Sequence, residues 1–64
     1  MENERFNLSL RRFLKEVGIS SQQFLEALAR DENLAGKGTL RVKMVLTAED
    51  LDQRHEVEGE IDLG

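Results

Sequence analysis

His55 is the single imidazole in a chain of 64 residues that has no Cys, Tyr or Trp. An imidazole titrates close to neutral pH, so it is the first place to look for a general base or a metal ligand. Catalysis there would need a nucleophile beside the ring or a carboxylate to orient it. Asp52 is near in sequence, but there is no thiol and the serines fall at helix positions. His55 therefore reads as a structural residue on the inner face of a strand near a turn. A second grouping, Glu56, Glu58, Glu60 and Asp62, takes every other position of one segment. On a strand that spacing sets carboxylates ~6–7 Å apart on one face, where pairs can move protons or hold a divalent cation. Arg41 and Lys43 fall opposite them, and AEDLDQRHEVEGE lacks the order of a calcium-binding loop. The expectation is a solvated face with cross-strand ion pairs, no metal and no cofactor.

Two basic or polar stretches complete the chemistry. Arg5, Arg11, Arg12 and Lys15 form a modest basic stretch that reads as the polar face of a helix, because the few aromatics needed for nucleic-acid stacking are required in the core. The segment LKEVGISSQQF has the spacing of a helix-turn-helix turn, and residues 13–30 then define a nucleic-acid-binding alternative. Ser21, Gln22 and Gln23 would open its recognition helix, where Gln can read adenine edges. Against this, no scaffold helix precedes it, and Arg30 stands alone among Glu26, Asp31 and Glu32. The net charge of −4 is also unevenly spread, +1 over residues 1–30 and −5 over residues 31–64. An acidic chain repels phosphate, so nucleic acid is the weaker reading.

The elements that position these residues follow from periodicity. Phe6, Leu10, Phe13, Leu14 and Val17 share one helical face in a first helix from about Glu2 to Val17. Gly18 falls where a left-handed residue ends a helix at low steric cost. Ser20 with Gln23 makes an S-x-x-Q capping box, and Ile19 with Phe24 occupies the positions of a hydrophobic staple. A second helix is expected from about Ser21 to Asn33, with Phe24, Leu25 and Leu28 inward. Gly36-Lys37-Gly38 follows as a flexible connection. From Thr39 the period becomes two. Leu40, Val42, Met44 and Leu46 alternate with Arg41, Lys43, Val45 and Thr47, and His55, Val57, Gly59 and Ile61 alternate with the acidic residues. With Asp50-Leu51 at the tip, Leu46 pairs with His55, Met44 with Val57, Val42 with Gly59 and Leu40 with Ile61. The same register sets Lys43 opposite Glu58 and Arg41 opposite Glu60.

The fold class is thus α+β: two N-terminal helices, then a C-terminal antiparallel β-hairpin, in a single domain over residues 1–64. The apolar side chains scarcely outweigh the entropy of ordering the chain, and a lone hairpin is marginal in water. Two copies joined edge to edge would complete a four-stranded sheet, so a homodimer is expected. No apolar stretch approaches the ~20 residues of a membrane span, and the first apolar run is too interrupted by charge for a signal peptide. A cytoplasmic location is expected.

The stretches ENERFNLSLRRFLKEVGISSQQ and VEGEIDLG resemble a family of short, uncharacterised bacterial proteins of about this length. The resemblance implies a helical pair followed by a β-hairpin and carries no activity, cofactor or catalytic residue. The functional expectation is a non-enzymatic protein–protein interaction module. Its candidate partner surfaces are the polar helix face around Arg12 and the acidic strand face of Glu56, Glu58 and Glu60.

Overall fold

The computed structural model describes residues 3–64 and contains one helix followed by a two-stranded antiparallel sheet. Its residues cluster into two compact units, one ending at Asn33 and one from Leu34 to Gly64. The first unit is α1, Glu4–Asp31, an unbroken helix of 28 residues. At 1.5 Å per residue it is about 42 Å long.

The expectation of two helices is therefore corrected. Residues 18–20 are helical, and Gly18 is not among the residues with positive φ. The Ser20 hydroxyl donates back to the Val17 carbonyl at 3.4 Å instead of capping a new helix. That bond is the ordinary way a mid-helix serine satisfies itself. The physical reason lies in phase. Phe6, Leu10, Phe13, Val17, Phe24 and Leu28 fall within one stripe of a single 3.6-residue helix, with Ser21 filling the turn between Val17 and Phe24. Breaking the helix at Gly18 would free its first and last four backbone groups again, whereas keeping Gly within it costs only ~1 kcal/mol relative to Ala. Continuation wins.

The true ends use asparagine. Asn3, with extended backbone, is the N-cap; its Oδ1 accepts from the Arg5 amide at 2.9 Å and the Phe6 amide at 3.3 Å. Such a cap is worth ~1 kcal/mol. Glu2, at the expected start of the first helix, lies outside the described residues. At the far end the Glu32 amide donates to the Leu28 carbonyl, and Asn33 adopts φ of 56° with its amide on the Arg30 carbonyl. A left-handed residue after the last turn closes the helix, with Asn in the role that glycine commonly takes.

The second unit is a hairpin of β1, Thr39–Ala48, and β2, Gln53–Asp62. Its register is the one expected: Leu46 faces His55, Met44 faces Val57, Val42 faces Gly59, Leu40 faces Ile61, Lys43 faces Glu58 and Arg41 faces Glu60. The Leu51 amide closes the tip on the Ala48 carbonyl at 3.1 Å. Gly36-Lys37-Gly38 is more than a connection. Gly36 and Gly38 have φ of 76° and 90°, and this bend lets the Gly36 amide reach the Leu63 carbonyl and the Leu63 amide reach the Gly38 carbonyl, each at 2.7 Å. The segment thereby extends the ladder beyond Thr39.

Neither unit buries a described side chain. Val17, Leu25 and Leu28 of α1 and Leu40 and Val42 of β1 are half-buried, while Phe6 and Phe13 each keep 48% of their surface exposed and Phe24 keeps 66%.

The two glycine environments predict opposite signs for one substitution. Neither Gly18 nor Gly38 has an atom within 4 Å of an added methyl group, so backbone preference alone decides. Gly18→Ala should raise helical ellipticity and stabilise α1 by up to ~1 kcal/mol. Gly38→Ala, forced into left-handed backbone, should destabilise the hairpin by ~1–2 kcal/mol. Far-ultraviolet circular dichroism during thermal melts reads both. A loss of helicity in Gly18→Ala would show a broken helix after all.

Candidate functional site

The residues with chemical potential fall on two surfaces, one on each unit. On α1, Arg12, Lys15, Glu16, Ile19, Ser20 and Gln23 line a shallow groove alongside the apolar stripe. Their spacing of three and four places them along adjacent turns. Arg12, singled out from sequence, sits in this groove and is exposed. The groove mixes two cations, a carboxylate and two small polar groups around the Ile19 side chain, which is half-exposed. It holds neither an imidazole nor a thiol.

On the hairpin, Glu56, Glu58 and Glu60 share the outer face of β2, each exposed. Strand geometry brings them together because side chains alternate, so every second residue points the same way. Lys43 lies directly opposite Glu58, yet its Nζ bonds Glu56 Oε1, two pairs along the ladder, at 3.1 Å. Glu56 Oε2 simultaneously takes Arg54 Nε from the same strand. A diagonal partner is within reach of a long side chain, and strand twist favours it. Glu56 is thus a bridging carboxylate between two cations. Glu58 and Glu60 make no ion pair among the described residues. The acidic ladder therefore divides into a neutralised member at one end and two uncompensated members next to it. The spacing alone gives direct cross-strand opposition and does not give this division, which depends on the diagonal Lys43–Glu56 contact.

His55 is exposed beside Leu46, its cross-strand partner, on the face opposite the glutamates. Leu46, Thr47, Ala48, Gln53 and Arg54 surround it in an open depression near the hairpin tip. No carboxylate lines that depression to orient the ring. Among the described residues, no three His, Asp or Glu side chains gather closely enough to hold a metal ion. No helix of the described residues is long and apolar enough to cross a membrane.

The bridging geometry predicts unequal glutamates. Glu56→Gln should lower hairpin stability by up to ~1 kcal/mol at low ionic strength and by almost nothing near ~1 M salt, where the Debye length is ~3 Å. Glu58→Gln, although it faces Lys43 in the register, should be neutral or slightly stabilising, because it relieves repulsion within the ladder. Melts of both variants in low and high salt measure the difference, and equal effects would refute the bridge.

Comparison with known proteins agrees with the sequence resemblance and adds no activity. Neither a curated protein nor a solved structure matches the chain. A family model described as "Family of unknown function (DUF6494)" matches residues 1–64, so the whole chain belongs to that family.

Proposed function

We propose that the chain is a non-enzymatic protein–protein interaction module acting as a homodimer, in which two hairpins join into one four-stranded sheet and the apolar stripe of α1 is withdrawn from water. The observation that carries this reading is the complete lack of a buried side chain among the described residues. Phe6, Leu10, Phe13, Val17, Phe24 and Leu28 run in one phase for about 33 Å along the helix. Met44, Leu46, Val57 and Ile61 form a second apolar surface on the inner face of the hairpin, each still 40–54% exposed. Contiguous apolar surface of this extent marks an interaction site on a small protein. A two-stranded ribbon also needs further strands or packing for independent stability. A second copy supplies both.

The surfaces left over are the polar ones. The groove around Arg12 lies about a third of a turn from the apolar stripe of α1, and the acidic face of Glu56, Glu58 and Glu60 lies opposite the apolar face of the hairpin. A dimer that covers the apolar faces leaves them free for a further protein partner, with a basic surface as the natural match to the uncompensated Glu58 and Glu60. A cytoplasmic setting fits the cysteine-free composition. The nucleic-acid alternative rested on a turn at Gly18-Ile19-Ser20, and those residues are helical, so no geometric feature now favours it.

Sedimentation equilibrium tests the assembly. The expected mass is twice the 7.3 kDa of one chain. Phe13→Asp, in the middle of the stripe, should shift the equilibrium to monomer by at least tenfold, since a buried carboxylate costs several kcal/mol. A wild-type chain that stays monomeric at ~1 mM, where an association of only about 4 kcal/mol would already show, while melting cooperatively would overturn the proposal.

A further inference from the structure

The hairpin has two free edges, and its charge pattern distinguishes them. This inference rests on the homodimer proposed above and names its contact. We infer that the second copy docks on the edge of β1, antiparallel about a two-fold axis at Met44, giving the strand order β2-β1-β1-β2. Each strand pairs only with the other in the described residues, so the outer backbone groups of both are open to a further strand. Main-chain geometry favours neither, because both strands have ten residues. Side chains must decide.

In an antiparallel pair, directly opposite residues point to the same face, and like charges set opposite one another destabilise the pair. A copy docked on β2 about Val57 sets Glu56 against Glu58 twice. Docked about Glu58, it sets Glu58 against Glu58 and Glu56 against Glu60 twice. The same axes also set Arg54 against Glu60 twice or against Asp62 twice, which offsets part of the repulsion, yet every near-complete overlap of β2 with itself still opposes carboxylates in at least two facing pairs. Charged residues on an edge strand are a known guard against pairing.

The β1 edge carries a weaker guard, two cations at Arg41 and Lys43 that one register keeps from facing each other. Its outer face is Thr39, Arg41, Lys43, Val45 and Thr47, with charge confined to the first half. Two overlaps retain nine residue pairs and keep inner faces together. The one about Lys43 sets that residue against its own counterpart. The one about Met44 sets Lys43 against Val45 and Arg41 against Thr47, with no like charges directly opposed. On the inner face it stacks Met44 on Met44, Val42 on Leu46 and Leu40 on Ala48, an unbroken apolar row. The neutralising contact from Glu56 already quiets Lys43. The outcome is a sheet whose seam is apolar and whose two outer edges are acidic.

The absence of cysteine makes the contact readable by cross-linking. Met44→Cys should oxidise to a covalent dimer, since facing residues on adjacent strands have Cα atoms about 4.5–5.5 Å apart, within disulfide range. Val57→Cys, at the matching position of β2, should remain non-covalent, with both variants sedimenting as dimers before oxidation. Val45→Lys gives a second readout. Within one chain the new ammonium faces Glu56, so the hairpin is kept, but across the seam it meets Lys43 twice, and dimer dissociation should rise about tenfold. Linking through Val57→Cys with none through Met44→Cys, linking through neither while the mass stays doubled, or an unchanged dissociation constant in Val45→Lys would each overturn this contact and leave the homodimer standing. A wild-type monomer would remove the homodimer itself.

Discussion

A pair of strands satisfies only half of its own backbone. Along each outer edge, alternate N–H and C=O groups point away from the partner strand and must find water or another strand. In the present hairpin, twenty strand residues share one interface between β1 and β2 and leave two such edges. The inner face has the same incompleteness in another form, because Met44, Leu46, Val57 and Ile61 stay substantially exposed. These two deficits lie at right angles, one in the plane of the sheet and one perpendicular to it. Joining hairpins edge to edge meets the first directly and doubles the width of the apolar face for the second. In the proposed dimer, the charge distribution would then determine which of the two edges is used.

Legibility in the sequence was uneven, and the unevenness has a physical basis. The hairpin register was readable because two constraints had to hold together: Leu40, Val42, Met44 and Leu46 on one face, and Arg41 and Lys43 facing acidic residues on the other. A one-residue slip violates both, so the answer is unique. The helix boundary was misread because Gly18, Ser20, Gln23, Ile19 and Phe24 all satisfy local rules for ending and restarting a helix. Those rules describe what a terminus prefers once it exists, not whether it forms. The competing signal, an apolar stripe keeping its phase from Phe6 to Leu28, is non-local and therefore weaker in any short window. The N-cap that forms, Asn3, lies one residue beyond the expected start at about Glu2. Likewise Gly36 and Gly38 were read as flexibility, whereas their positive φ values serve a defined bond pattern with Leu63.

The candidate site residues were legible as a surface and not as a network. Alternation alone places Glu56, Glu58 and Glu60 on one face. Which of them is neutralised depends on strand twist and on the reach of Lys43 and Arg54, neither of which is written in the spacing. Arg12 belongs to a helix face whose composition was correctly read as polar, but the groove it lines runs through residues 18–20, which the expected break would have removed. The continuous helix thus creates the surface that two helices would have divided.

The same acidic residues can serve two ends without conflict. In the proposed dimer, repulsion that disfavours pairing of β2 with itself acts between facing positions in the plane of the sheet. Attraction toward a basic partner acts perpendicular to the sheet, on the solvent side. Glu58 and Glu60 stand in both fields, and neither requirement asks for a different residue. Replacing them by neutral polar side chains would weaken the guard and the attraction together, whereas moving the charge to β1 would invert the edge preference and close the seam. A small protein with few apolar side chains gains most from this arrangement. In the proposed dimer, one mode of self-association would be specified by the placement of charge, and the limited apolar surface kept for the contact itself.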